Sequence, residues 1–148
     1  MGPSAIPLSP ATSSARQATA VTRSLAIAVI SDVHGNAPAL ERVLTDIRGR
    51  VPDIVINLGD QVWGQVDPAG AYEMQAELSA VEVRGNNDAR PLLPDARLNS
   101  VNVALKRWIK ERVPVDALNR LASLPLSASV GDGRVLAAHG TPSSPWTA

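Results

Sequence analysis

Five side chains able to offer lone pairs to a cation stand where apolar runs end: Asp32, His34, Asp60, Asn86 and His139. Residues 25–30 (LAIAVI) are apolar and partly β-branched, and they lead into Asp32-Val33-His34-Gly35-Asn36. Such a run reads as a buried strand delivering a polar cluster at its tip. In an extended chain Asp32 and His34, two apart, point to the same side. A carboxylate suits a hard cation and an imidazole a borderline one, so together they can hold a divalent metal. The chain has only two histidines, and the second, His139, also follows an apolar run and is also followed by glycine. Asp60 and Asn86 each come directly after a glycine. Oxygen and nitrogen donors from four strand ends make a set that suits Mn, Fe, Zn or a similar ion. Singly, each has a plainer reading: Asp32 as a cap, His34 as a hydrogen-bonded histidine, and residues 85–88 as a turn tolerant of positive φ. Those plainer readings must all hold at once to dispose of a metal site.

The elements that must carry these residues follow from periodicity. Over 37–50, Leu40, Val43, Leu44 and Ile47 fall at i, i+3, i+4 and i+7 and mark one helix face. Asn36 is a good N-cap and Pro38 fits the first turn, so the positive helix end faces the polar cluster. After the break at Val51-Pro52-Asp53, a second apolar run over 54–58 ends at Gly59-Asp60. Strand, helix and strand make a βαβ unit with parallel strands. Asp60 therefore emerges at the same carboxyl edge as Asp32 and His34, where open α/β sheets bind ligands.

Residues 61–67, with Trp63, read as a loop, 68–78 as a short helix, and 80–83 as a third strand leading to Gly85-Asn86-Asn87-Asp88. Trp63 either borders a substrate pocket or packs. Residues 91–100 read as an irregular flap. Residues 101–113 read as an amphipathic helix with Trp108 in the core and Lys106, Arg107 and Lys110 on the wet face, ended by Pro114. Asp116 caps a further helix through Ser123, and 126–138 form a hairpin about Gly131-Asp132-Gly133 that ends at His139.

Composition bounds the function. A formal net charge of zero gives no general attraction to nucleic acid or membrane, so phosphate must be bound by a local site. The absence of cysteine excludes disulfides and thiol catalysis. No apolar run approaches the ~20 residues of a membrane span, and a cytoplasmic location is the expectation. With no Phe and 3% aromatic residues, the core must come from Leu, Val, Ile and Ala. Residues 1–24 are rich in Ser, Ala, Thr and Pro and are expected to be a disordered extension; one domain over 25–148 is expected to follow.

The blocks Asp32-Val33-His34-Gly35-Asn36, Gly59-Asp60, Gly85-Asn86-Asn87-Asp88 and His139-Gly140 resemble, in order, the successive motifs of the calcineurin-like metallophosphoesterase superfamily. The resemblance implies an α/β sandwich with mostly parallel strands. It also implies that Asp32 and His34 bind one metal, Asp60 bridges, and Asn86 and His139 bind the second. Two divalent ions, manganese first and iron, zinc, nickel or magnesium as alternatives, would then activate a water for attack on phosphorus.

Two departures bear on that reading. Many relatives carry His where this chain has Asn87. An amide donates a hydrogen bond to a phosphoryl oxygen but is no general acid near neutral pH, which shifts the expected substrate toward phosphodiesters or small phosphorylated molecules with good leaving groups. The family also closes its site with a downstream Gly-His-x-His, and this chain has no third histidine, so a C-terminally truncated form of the domain is expected. The alternative is a catalytically weak member serving as a protein-interaction scaffold, as in the retromer-associated branch of the superfamily. A partial domain would expose a sheet edge and tend to associate.

Overall fold

The computed structural model describes residues 24–146, so the extension expected over 1–24 lies almost wholly outside the described residues. Three short strands, β1 (Ile27–Ile30), β2 (Ile54–Asn57) and β3 (Ala80–Glu82), form a parallel sheet in that order. They are joined by α1 (Ala37–Arg50) and α2 (Pro68–Ala76). After two single 3₁₀ turns, at Arg90–Leu92 and Asp95–Arg97, come α3 (Ser100–Lys110), α4 (Val115–Ser123) and the antiparallel hairpin β4 (Ser127–Val130) with β5 (Val135–Ala138). The expected α/β architecture with mostly parallel strands is what forms.

Side-chain alternation assigns the two sheet faces. Ile30 meets Leu40 and Leu44 of α1, with Met74 and Leu78 packed alongside. Ile56 and Val83 point the other way, onto Val130 and Ala137 of the hairpin. The sheet is therefore covered by helices on one side and by the hairpin on the other. A third cluster joins Val62 and Trp63 to Ile109, Val113, Leu118 and Leu121, so α3 and α4 brace the loop that follows Asp60. Trp63 is accordingly a packing residue, while Trp108 is half-buried at the edge of that cluster, with Arg112 stacked on its ring.

Three expectations need correction. Val43, assigned to the inner face of α1, is 45% exposed because it lies toward the uncovered flank of β1, where Val29 is also exposed. Asp116 does not cap α4; Pro114 takes that position and Asp116 falls in the first turn, where a negative charge still suits the helix dipole. Lys106, read as part of the wet face, has a side chain only 13% exposed: it donates to the Leu93 carbonyl and pairs with Asp95 at 2.9 Å, tying the 3₁₀ turns of the segment read as an irregular flap to α3.

Asn36 caps α1 as read, accepting from the Ala39 N–H at 3.2 Å; Asp67, placed by the sequence reading in a loop, caps α2 by accepting from the Gly70 N–H at 3.0 Å. Beneath them a buried pair fixes the end of β2. Asn57 donates to Gln75 at 2.9 Å and accepts from the Gly59 N–H at 3.1 Å.

Candidate metal centre

The residues singled out in the sequence meet at the carboxyl edge of the sheet, but not by strand alternation. β1 stops at Ile30, and Asp32 and His34 both adopt left-handed backbone, φ 56° and 48°. Asp60 does the same at φ 57°. Non-glycine residues in this region are uncommon and cluster where a fold holds strain for function. Backbone bonds impose it here: Asp32 N–H donates to the Gly59 carbonyl at 3.0 Å, and His34 N–H donates to the Asp60 carbonyl at 2.9 Å. The two turns are laced together, and their side chains face a shared space.

Glycine is required where the second and third turns touch. A β-carbon on Gly85 would lie 2.1 Å from Asp60 Oδ1 and 2.4 Å from Asp60 N; one on Gly59 would lie 2.2 Å from the Gly85 nitrogen. Gly85→Ala should therefore displace Asp60. We expect apparent metal affinity by calorimetry to fall by at least about tenfold, as it does when outer-shell partners are lost; unchanged affinity would show that the turns can part freely.

Each histidine has one ring nitrogen committed to a backbone carbonyl. His34 Nδ1 sits 2.9 Å from the Trp63 carbonyl oxygen, and His139 Nδ1 sits 2.9 Å from that of Leu58. A carbonyl only accepts, so Nδ1 carries the proton, and in the neutral ring Nε2 presents a bare lone pair. His34 Nε2 faces Asp32 Oδ1 and Asp60 Oδ2, each at 3.6 Å. His139 Nε2 faces Asn86 Oδ1 at 3.1 Å and Asp60 Oδ2 at 3.7 Å. Lone pairs turned on lone pairs repel unless a cation lies among them. Asp32, Asp60 and His139 alone bring ligand atoms within 4.8 Å of one another. The donor set thus fits divalent metal, and Asp60, its side chain 2% exposed, belongs to both faces.

Asn87 donates its backbone N–H to Asp60 Oδ1 at 2.8 Å, and its side-chain amide donates to Asp60 Oδ2 and to Asn86 Oδ1. Its amide is thus directed onto the shared carboxylate.

One residue matters more than its sequence context announced. Asp88, fully buried, accepts from the N–H groups of Asp60 at 3.0 Å, Gln61 at 2.9 Å and Gly85 at 2.7 Å. Burial pushes its carboxyl above the usual carboxylate range, the three N–H donors pull it back, and the charge of Asp60 adds to the rise. The signal was available: an acidic residue three places after a turn glycine can take that glycine's N–H.

Comparison with known proteins agrees with this geometry. The family described as calcineurin-like phosphoesterase matches residues 25–147. An uncharacterized protein of Methanocaldococcus jannaschii is 32% identical over 123 residues, covering 80% of this chain and 51% of that one. A metallophosphoesterase from Sphaerobacter thermophilus superposes with TM-score 0.66 at 34% identity, over 84% of this chain and 51% of that one. A hypothetical protein from Pyrococcus horikoshii superposes with TM-score 0.67 at 20% identity, over 81% and 56%, a likeness of fold. The chain spans about half the length of the curated relative it matches.

Proposed function

The chain belongs to the calcineurin-like phosphoesterase family, and from that premise we propose a two-metal phosphoesterase that hydrolyses phosphodiesters or small phosphorylated molecules. The observation that carries this reading is the pair of lone-pair faces sharing Asp60. In it, Asp32 and His34 would hold one divalent ion, Asn86 and His139 would hold the other, and Asp60 would serve both. Manganese is the first ion to test, before iron, zinc, nickel or magnesium. When bound, such ions neutralise charge on phosphoryl oxygens and lower the pKa of a water able to attack phosphorus.

This chain's residues do the rest. The Trp63 and Leu58 carbonyls fix both imidazole tautomers, a common outer-shell arrangement around metal-binding histidines. Asp60 puts negative charge where two dications would otherwise repel. The N-terminus of α1, capped by Asn36, follows directly on the Asp32–His34 turn, so its positive end would favour an anion bound there. Asn87, expected from the sequence to donate to a phosphoryl oxygen, instead has its N–H groups committed to Asp60 and Asn86, and it has no proton for a leaving group, which favours esters whose leaving group departs unaided.

The test is hydrolysis of bis(p-nitrophenyl) phosphate by the gene product with added manganese. Turnover should vanish on treatment with EDTA and return with manganese; no metal-dependent turnover would overturn the reading. One observation favours a second reading: the Asp32 side chain is 54% exposed, which suits loose metal binding in a scaffold of the same fold. Feeble calorimetric metal binding, with partner capture that survives Asp60→Ala, would select it.

A further inference from the structure

Three of the loops that carry the candidate ligands also send a side chain to one cation–π cluster, built on the packed ring of Trp63. Trp63 follows Asp60 in the chain, Arg90 follows Asn87, and Trp146 follows His139. The Arg90 guanidinium carbon lies 5.8 Å from the centroid of the Trp63 ring and 5.6 Å from that of Trp146. Both spacings are within cation–π range. The stack is fastened to the metal centre at two points. The Trp63 carbonyl oxygen is the partner of His34 Nδ1 at 2.9 Å, and the Arg90 N–H donates to the Asn87 carbonyl at 3.0 Å. The Trp63 loop is also pressed onto His34, since a β-carbon on Gly64 would lie 1.7 Å from the His34 carbonyl oxygen.

A second arginine shows what a purely structural stack looks like in this protein. Arg112, 4.2 Å from the Trp108 ring centroid, also donates to the Trp108 carbonyl at 2.9 Å and pairs with Glu111 at 3.2 Å. Its charge is paired and its Nη1 is bonded twice. Arg90 has the rings but, among the described residues, its guanidinium has no hydrogen-bond acceptor and no carboxylate. Stacking occupies the face of a guanidinium and leaves the N–H groups in its plane, arranged as a fork that matches phosphate. Trp146 is 63% exposed and Arg90 half-buried, while Trp63 is buried, so the stack opens to solvent on its Trp146 side.

We propose that Arg90, held by Trp63 and Trp146, binds a second phosphoryl group of the substrate, so that the preferred substrates are esters of a diphosphate rather than of a single phosphate. This deepens the phosphoesterase reading and rests on it. Two measurements separate the two. In EDTA-treated protein, where metal plays no part, tryptophan fluorescence is titrated with inorganic phosphate. A saturable change in the millimolar range is expected, lost in Arg90→Met and weakened in Trp146→Leu, which keeps the cation but not its clamp. In the manganese-loaded protein, kcat/KM is compared for a diphosphate diester and for bis(p-nitrophenyl) phosphate. Arg90→Lys, which keeps charge but not the fork, should lower the ratio of the two by about tenfold or more, the scale of a charge-assisted hydrogen bond. No fluorescence response in the unmodified protein, or an equal one in Arg90→Met, overturns the subsite. Hydrolysis with an unchanged substrate ratio also overturns it while leaving the phosphoesterase standing. An Arg90-dependent response without any metal-dependent hydrolysis upholds the anion site and removes the enzyme.

Discussion

Asp60→Asn should lower metal-dependent kcat by more than about a hundredfold, and metal content should fall below two ions per chain. Removing an outer-shell partner costs about 10–100-fold; in the proposed two-metal site Asp60 would serve both ions, so its loss must exceed that. Among the described residues, Asp60 is also the only carboxylate on the second face, where its companions are an amide oxygen and an imidazole. Without it, two dications would have no negative charge between them. Asparagine keeps the volume and one oxygen to accept from Asn87, but its NH₂ group then faces the other Asn87 N–H, so the metal-free protein should lose no more stability than one orphaned group costs, about 1–3 kcal/mol. Asp32→Asn is the comparison. That side chain is 54% exposed and serves one face, so the loss should be smaller and excess manganese should recover part of the activity. Equal activity of Asp60→Asn and unmodified protein, with two ions still bound, would remove the shared-ligand arrangement.

Why the candidate ligands were legible while the reason for their meeting was not is clearest at Asp32 and His34. Their types and their place after an apolar run pointed to one cluster, and they do face a common space. Strand alternation was the wrong cause. Both have left-handed backbone, which aspartate and histidine tolerate better than most residues and which a period-two pattern does not encode. The helix over 37–50 was readable to its ends because cap, periodicity and break all agreed. The short helix over 68–76 stopped before Leu78, its apolar spacing giving no clear end. What fixes the two imidazoles left no trace in the sequence, because the groups concerned are the backbone carbonyls of Trp63 and Leu58, and any residue supplies a carbonyl. The Arg90 stack was invisible for a related reason: it joins residues from loops 27 and 56 positions away in the chain, and such pairings exist only after folding.

Asp88→Ala should be the most destabilising single substitution at this edge of the sheet. The carboxylate lies fully buried between two turns and accepts three backbone N–H groups, from Asp60, Gln61 and Gly85. Truncation leaves those donors without a partner, and a buried unsatisfied group costs about 1–3 kcal/mol. Relief of the buried charge and entry of water offset part of the sum, so a loss of about 3 kcal/mol or more in urea unfolding is expected, against a total stability of about 5–15 kcal/mol for a typical domain. Asp88→Asn separates charge from geometry. One of its atoms becomes an NH₂ group facing an N–H donor, so at least one of the three bonds is lost and the cost should fall near the 1–3 kcal/mol of a single orphaned group. Both variants should also loosen metal, because the bond to the Asp60 N–H holds that residue in its strained turn. Weakened metal binding without destabilisation would mean that Asp88 acts on the ligand alone. An unchanged unfolding midpoint together with unchanged metal affinity would mean that the β2 and β3 turns are held together by the Gly59–Gly85 contact without it.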